Sequence, residues 1–534
     1  MIAPINRNFP LRHSFWLGSL FLSLLLFSCS PAKPRADLVF INGIEPESLD
    51  PAIITGQPEG RIVMALFEGL TSRDSYGQVG PGMAERWEIL SDGLTYHFYL
   101  RKNARWSNGD FLTAKDFVQS WERVLNPKTT SDYAEILYYL ENAEAYHDGK
   151  INDFNQVGVK TINSHTLEVK LRAPTSFFLD LCAFVTTYPV HFPSIQRYGL
   201  DWIKPGKLVS NGAYRLTDWR INDRVRMEKN PYYWRADQVK LKTVEALPIN
   251  QATTAFNFYY TGLADLVLDK SSIPPLLLGE LRKKSDCHIA PILATYFYRF
   301  NVTRPPFDNP LVRKAIALSI DKKFIVDRVT RAGEPVTGSF TPPGLPHYQP
   351  PQGLSHNPDL GRKLLARAGY PQGKGFPAIT LLYNKTEQDE NIALAFQSMM
   401  KKELGIRIEL RNQEWKVYLN SLSQLDYDIA RSSWVGDYAD PNTFLDCFIT
   451  GRGNNRTGWS FTRYDQLMTQ ANQELDSTKR SKLLYLAEKI LVEEQLPIIP
   501  VFHFVGIKLF NENRLGGLHL NLVDEYPIRE MFWK

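Results

Sequence analysis

The chain has 534 residues, with 62 Lys and Arg against 57 Asp and Glu and a formal net charge of +5. With 43% hydrophobic and 22% charged residues the composition is globular, which excludes a disordered or fibrous chain and a multi-span membrane protein. The slight basic excess is spread along the chain and offers nucleic acid no clustered patch; the length predicts roughly three or four domains or lobes.

Residues 1–28 carry a basic head, Arg7 and Arg12, and then an apolar run from Phe15 to Phe27. A bilayer span needs ~20 apolar residues, so this shorter run has the form of a secretory h-region, with a short uncleaved anchor as the alternative. Leu26-Phe27-Ser28-Cys29 resembles a bacterial lipobox, with Phe27 bulkier than that pattern usually holds. It predicts a signal peptide over 1–28 and a lipid-modified Cys29 heading a linker over 29–36. Cys182, Cys287 and Cys447 then remain, an odd number at no metal or redox spacing, and read as small buried hydrophobes.

In chain order, residues 37–43 read as a strand and 45–51 as a loop punctuated by Pro and Asp. Residues 95–101 and 166–171 alternate like half-buried strands, and 133–146 reads as a helix. Residues 303–310 and 341–358 are Pro-rich connections. Between 377 and 440 the pattern is sharpest. A strand (378–383) precedes a helix in which Ile392, Phe396, Met399/Met400 and Leu404 recur at helical spacing until Gly405 stops it. A strand (406–410), a helix (414–425) and a third strand (427–434) complete a β-α-β-α-β run, which implies a parallel sheet with right-handed crossovers. Ligands of open α/β sheets bind beyond the carboxyl ends of the strands, so residues 433–438 are a ligand candidate. A long amphipathic helix (476–495) and an apolar strand (497–505) follow.

No zinc-protease, nucleophile-elbow, Walker or dinucleotide motif occurs, and the ten His residues form no metal-ligand pair on a predicted helix. An exported hydrolase would need a nucleophile–base pair or a metal, and the sequence offers neither; no cofactor or metal is expected.

Several segments resemble one family. They are Pro46-Glu47-Ser48-Leu49-Asp50-Pro51, Leu66-Phe67-Glu68-Gly69-Leu70, Pro81-Gly82-Met83-Ala84-Glu85-Arg86-Trp87, the stretch 100–109, Asn211-Gly212-Ala213-Tyr214 and Asn230-Pro231-Tyr232-Tyr233-Trp234. Residues 308–321, Gln413-Glu414-Trp415 and 434–445 continue the set in order. Together they resemble the oligopeptide-binding proteins of peptide ABC transporters, the bacterial extracellular solute-binding proteins of family 5. The resemblance implies a three-lobed, type II periplasmic-binding-protein-like α/β fold whose lobes close around a ligand across a hinge. Lobe I would comprise 37–69, 193–293 and 505–534, lobe II 70–192 and lobe III 294–504. It also implies a monomeric, non-enzymatic lipoprotein of the periplasm or cell envelope that hands short peptides to an ABC permease and its ATPase subunits.

The resemblance assigns Asp437 to the α-ammonium of a bound peptide; a capping role for residues 438–442 is the alternative. It assigns Arg431 to the peptide carboxylate, against an internal salt bridge with Asp426 or Asp428. Trp415, Trp434 and Tyr133 become pocket aromatics, joined by Phe297 and Phe504, and Ser433 to Asp437 with Gly56 and Gln57 present backbone to an extended ligand. The departures are Thr55 and Arg299 at acidic positions of the family, Thr330, Leu422 and Asp389 at basic ones, and Val435 at a pocket cysteine. Residues 266–274 are two longer than the family pattern. Arg299 is expected to shift preference toward an acidic group, as in a wall-derived or γ-glutamyl peptide. Haem, a nickel complex or a sugar would keep the fold and change the ligand, and a structural lipoprotein would need no pocket.

Overall fold

Strand β1 (Leu38–Ile41) is apolar and buried along its whole length, as a strand with parallel neighbours requires. The protein is described by a computed structural model over residues 34–534, the Lys416 side chain aside. The expected signal peptide and Cys29 therefore lie outside the described residues. Helix α1 (Gln57–Leu66) follows, with Pro58 in its first turn. Four antiparallel strands then form a sheet of their own: β2 (Ala84–Ile89), β3 (Thr95–Leu100), β4 (Val159–Asn163) and β5 (Thr166–Lys170), in the order β2-β3-β5-β4. Helix α2 (Ala114–Leu125), opened by a Thr113/Asp116 capping box, packs against β4.

The chain continues through β6 (Tyr214–Arg220), β7 (Arg224–Lys229), β8 (Thr243–Leu247), β9 (Leu266–Val267) and β10 (Cys287–Phe300). Next come β11 (Ile379–Asn384), helix α3 (Glu387–Leu404), β12 (Ile408–Gln413), helix α4 (Trp415–Ser423) and β13 (Ile429–Val435). Helix α5 (Ser477–Lys489) leads to β14 (Ile498–Phe510). Ten strands share one sheet in the order β12-β11-β13-β10-β14-β9-β1-β8-β7-β6. β11 pairs in parallel with β12 and β13, the arrangement the pattern over 377–440 predicts. Ile392, Phe396, Met400 and Leu404 are the buried stripe of α3, which ends at Gly405 with φ +70.

β10 and β14, 14 and 13 residues long, join the two halves of the large sheet. Their ladder is interrupted between Pro291 and Thr295, where Pro291 has no amide to donate. One hydrophobic core gathers residues 38–268 with 510–531, and two others lie within 293–502. Tyr438 crosses this division: it belongs to the first core although its chain neighbours do not.

Residues 133–146 are not one helix. A 3-10 turn (Ala134–Leu137) and a short helix (Ala143–His147) are separated by Asn142 at φ 60. The backbone between them is drawn to the small sheet, where Leu140 bridges Leu171 and Glu141 N–H donates to Lys170 C=O at 2.9 Å. The 476–495 helix is α-helical to Lys489 and continues as a π-helical turn (Ile490–Gln495). Cys182 and Cys447 are buried thiols, whereas Cys287 at the start of β10 is only half-buried.

Candidate functional site

Past the end of β13 the chain turns at Gly436, whose N–H donates to Leu293 C=O at 2.7 Å. Asp437 N–H then donates to Thr443 Oγ1 at 3.0 Å, which fixes the carboxylate-bearing residue at the mouth of the strand. A small, partly open cavity lies there. Trp434, Asp437, Thr443, Cys447 and Arg452 line one side; Glu135, Tyr139 and Arg172 line the other. Asp437 is half-buried and has no ion-pair partner among the described residues. Burial, then the Glu135 charge, pushes its carboxyl up to about 7. Burial and Asp446 likewise raise Glu135, while Arg452 opposes that rise. Two neighbouring carboxyls without an ion-pair partner among the described residues make the cavity a receptor for a cation.

The two sides of this cavity are held together directly. Tyr438 stacks on Phe177 with ring centroids 4.3 Å apart, and its hydroxyl lies 3.3 Å from Tyr139 Oη. From the Tyr438 side Arg480, held by Asp440 through two hydrogen bonds of 2.7 and 2.8 Å, reaches over the Phe177 ring at 5.9 Å.

β13 is open along part of one edge. It pairs with β10 from Ile429 to Val435, but β11 reaches it only at Ile429 and Ala430. Among the described residues no strand covers that edge from Ser432 to Val435, so its peptide groups are free to bond an added extended chain. A second cavity, of about 290 Å³, lies between α1 and β14; Gln57, Thr330, Gln388, Phe504 and Lys508 line it.

The expected site residues separate into groups. Asp437 and Trp434 line the first cavity, Gln57 and Phe504 the second. Tyr133 lies near Asp437, which together with burial raises its hydroxyl pKa. Gly56 begins α1, where an added Cβ would come 2.2 Å from Glu59 Oε2. Trp415 starts α4, stays half exposed and stacks on Tyr418 at 5.5 Å. Val435 is exposed, and Ser433 is half-buried in the strand.

Three expectations change. Phe297 is a core residue, 1% exposed and packed edge-on against Phe340 and Phe448, because its face of β10 meets the apolar layer around α5. Arg431 does form an internal pair, but with Asp389 at 2.8 Å; Asp426 and Asp428 pair instead with Arg411 and Arg304. Leu422 is buried beneath α4 in the cluster of Leu382, Tyr418 and Tyr427. Sequence reasoning missed Glu135 and Arg452: neither lies in a motif, and their separation of over 300 positions closes only in the fold. No group of metal-ligating side chains is present among the described residues, and no helix among them is long and apolar enough to cross a membrane.

Comparison with known proteins agrees with this architecture. Residues 78–456 match the model for the bacterial extracellular solute-binding proteins, family 5 Middle. The chain is 37% identical over 485 residues to the periplasmic oligopeptide-binding protein OppA of Escherichia coli, covering 89% of this chain and 88% of that one. It is 36% identical over 534 residues to the probable deoxycholate-binding periplasmic protein YgiS of Escherichia coli, covering 96% and 97%. The crystal structure of a periplasmic oligopeptide-binding protein, OppAIV, from Borrelia burgdorferi superposes with a TM-score of 0.83 at 33% identity, over 94% of this chain and 100% of that one. With its family model, its relatives and its fold in agreement, the chain belongs to the bacterial extracellular solute-binding proteins of family 5.

Proposed function

We propose that this protein is the peptide-capturing component of an ABC importer, exported and lipid-anchored at Cys29. It binds short peptides in extended form and delivers them, as a monomer, to the permease and its ATPase subunits. Residues 37–69, 193–293 and 505–534 act as one lobe, 70–192 as a second and 294–504 as a third, with β10 and β14 as the hinge. The peptide adds a strand to the open edge of β13 at Ser432–Val435, and its α-ammonium meets Asp437. Main-chain bonds of this kind supply affinity whatever the side chains are.

The observation that carries this reading is the position of Asp437: a half-buried carboxylate without an ion-pair partner among the described residues, two residues past a strand with a free edge. The ammonium of an extended peptide bonded to that edge would satisfy it. The same observation weighs against a deoxycholate-type ligand, which carries a carboxylate and no amine and would face Asp437 and Glu135 with like charge. An enzymatic role finds no support in the cavity, whose acids are matched by no nucleophile–base pair.

Native mass spectrometry of the exported form, purified without denaturation, tests the proposal. A ladder of short peptides that is lost in Asp437→Asn supports peptide capture, and a single species indicates a specialised ligand. A pocket that stays empty after addition of free-amine peptides, yet takes up deoxycholate, refutes it.

A further inference from the structure

Arginines buried in this fold are generally matched by carboxylates or by several carbonyls. Arg73 has Asp180 and Glu525, Arg226 has Glu245, Arg480 has Asp440, and Arg313 donates to the carbonyls of Phe307, Gln495 and Leu496. Arg299 differs. It is 5% exposed, and its Nε and Nη2 both donate to one neutral acceptor, Ser432 Oγ, at 3.1 and 2.8 Å. Its Nη1 is buried without a partner, and it forms no ion pair among the described residues.

A second guanidinium lies beside it. Tyr427 Oη donates to the carbonyl of Arg456 and also reaches, at 3.5 Å, the carbonyl of Phe300, the residue after Arg299. The Arg456 Nε is likewise buried without a partner, and its side chain also forms no ion pair among the described residues. Burial and the charge of Arg299 together push Arg456 below its ordinary pKa, as two cations facing each other require. Buried charges are ordinarily paired, and here a buried guanidinium and a half-buried one stand together with no anion among the described residues.

These groups adjoin the peptide cavity. Ser432, which holds Arg299, alternates along β13 with Ser433 and so shares its face with Trp434, a wall of that cavity. Cys447, another wall residue, lies within the fields of both Asp437 and Arg299. Arg456 lies two residues past Asn454, the last of the lining residues Arg452 to Asn454.

We infer that Arg299 and Arg456 form an anion subsite of the peptide site, which selects peptides bearing a carboxylate side chain near their free amino end. The inference rests on the peptide reading above and names its substrate class. The peptide's ammonium would take Asp437, and its acidic side chain would turn toward Ser432 and the two guanidiniums, completing the bonds left open at Nη1 and Nε.

The test is calorimetric titration of the purified protein, freed of co-purifying ligand, with Ala-Glu-Ala-Ala and Ala-Ala-Glu-Ala, each paired with its Gln counterpart. At least one Glu peptide is expected to bind about tenfold more tightly than its Gln partner, the size of a charge-assisted hydrogen bond. In Arg456→Gln, and in Arg299→Gln, that ratio should fall toward one. Arg456 is only half-buried, so its variant serves if Arg299→Gln fails to fold, and thermal melting confirms folding of whichever is used. Gln peptides that bind as tightly as both Glu peptides would overturn the subsite while leaving peptide capture standing, as would a ratio unchanged in a folded Arg456→Gln. Failure of every peptide to bind would overturn both.

Discussion

Arg431 donates from Nε to Asp389 Oδ1 across 2.8 Å, so the guanidinium that the resemblance assigns to a peptide carboxylate already has a counter-charge inside the protein. Asp389 is itself fixed: its N–H and carboxylate both bond Thr386 Oγ1 at the start of α3, at 3.0 and 2.7 Å. Both side chains are largely buried, at 13% and 6% exposure. Replacing Asp389 with Asn leaves a buried cation unmatched, and should lower unfolding stability by about 3 kcal/mol in urea titrations. If Arg431 serves the ligand through this pair, Asp389→Asn also raises affinity for peptide carboxylates, because the guanidinium is released to them.

Asp437 makes the opposite prediction. Nothing among the described residues neutralises it, so Asp437→Asn should not destabilise the ligand-free protein. Affinity for free-amine peptides should fall by about 3 kcal/mol, roughly a hundredfold, as when one partner of a buried charge pair is removed. N-acetylated peptides should lose similar affinity for the unmodified protein and little more for the variant. Isothermal titration of the two peptide forms against the two proteins closes this double cycle.

The same carboxylate sets a pH dependence. Burial and Glu135 push its pKa up to about 7, above the ordinary carboxylate value, so the native protein holds a proton that the unfolded chain releases. Stability contributed by this group is present at low pH and is lost as pH rises toward 7. The loss is at most ~1.4 kcal/mol per pH unit. Glu488, buried under the amides of Phe340 and Thr341, is pushed up to about 7 as well and acts in the same direction. The ligand-free Asp437→Asn protein should therefore show a flatter stability curve between pH 5 and 7 than the parent. Peptide binding needs the ionised form, so it should release protons near pH 6 in buffers of different ionisation enthalpy. Affinity should weaken on acidification.

Tyr438 and Phe177 meet beside the cavity with their rings stacked at 10°. Phe177→Leu keeps an apolar side chain there and removes the stacking, worth roughly 0.5–1.5 kcal/mol. If the lobes part to release peptide, as proposed, this contact must break, and the change should appear as peptide dissociation a few-fold to about tenfold faster by stopped flow, with association little altered. An equal slowing of association would instead mean that the contact shapes the open form.

Much of the fold was legible because periodicity carries it: the parallel strands and helices over 377–440 follow directly from apolar spacing. The 133–146 segment was misread because tertiary bonds to β5 outweigh its helical pattern. Strand-end position alone marked residues 433–438 as a ligand candidate, and the resemblance then singled out Asp437 among them. Glu135, Arg452 and Arg456 carry no local signal, since their partners stand far along the chain or are absent from it. Phe297 was misplaced because it shares a face with Trp434 but is covered by Phe340 and Phe448, rings that only the fold brings onto it.

The motifs that identify the family are mostly scaffold, and that too can be tested. Glu68 of Leu66-Phe67-Glu68-Gly69-Leu70 is 2% exposed and accepts from Tyr233 Oη at 2.8 Å and Trp234 Nε1 at 2.6 Å, both from the Asn230–Trp234 motif. Its backbone is clasped by Asn211 of a third motif, through Glu68 N–H to Oδ1 and Nδ2 to Glu68 C=O. Gly212 beside it is obligatory, since a Cβ there would meet the Leu66 backbone at 2.6 Å. Arg235 and Arg529 approach the same carboxylate at 3.6 and 3.8 Å. Glu68→Gln removes the only negative charge these two arginines share at that point, and should cost about 3 kcal/mol of stability. The peptide affinity of the folded fraction should stay unchanged, because none of these groups lines either cavity. A loss of affinity larger than the loss of stability would place this network in the binding mechanism, and with it the motifs by which the family is recognised.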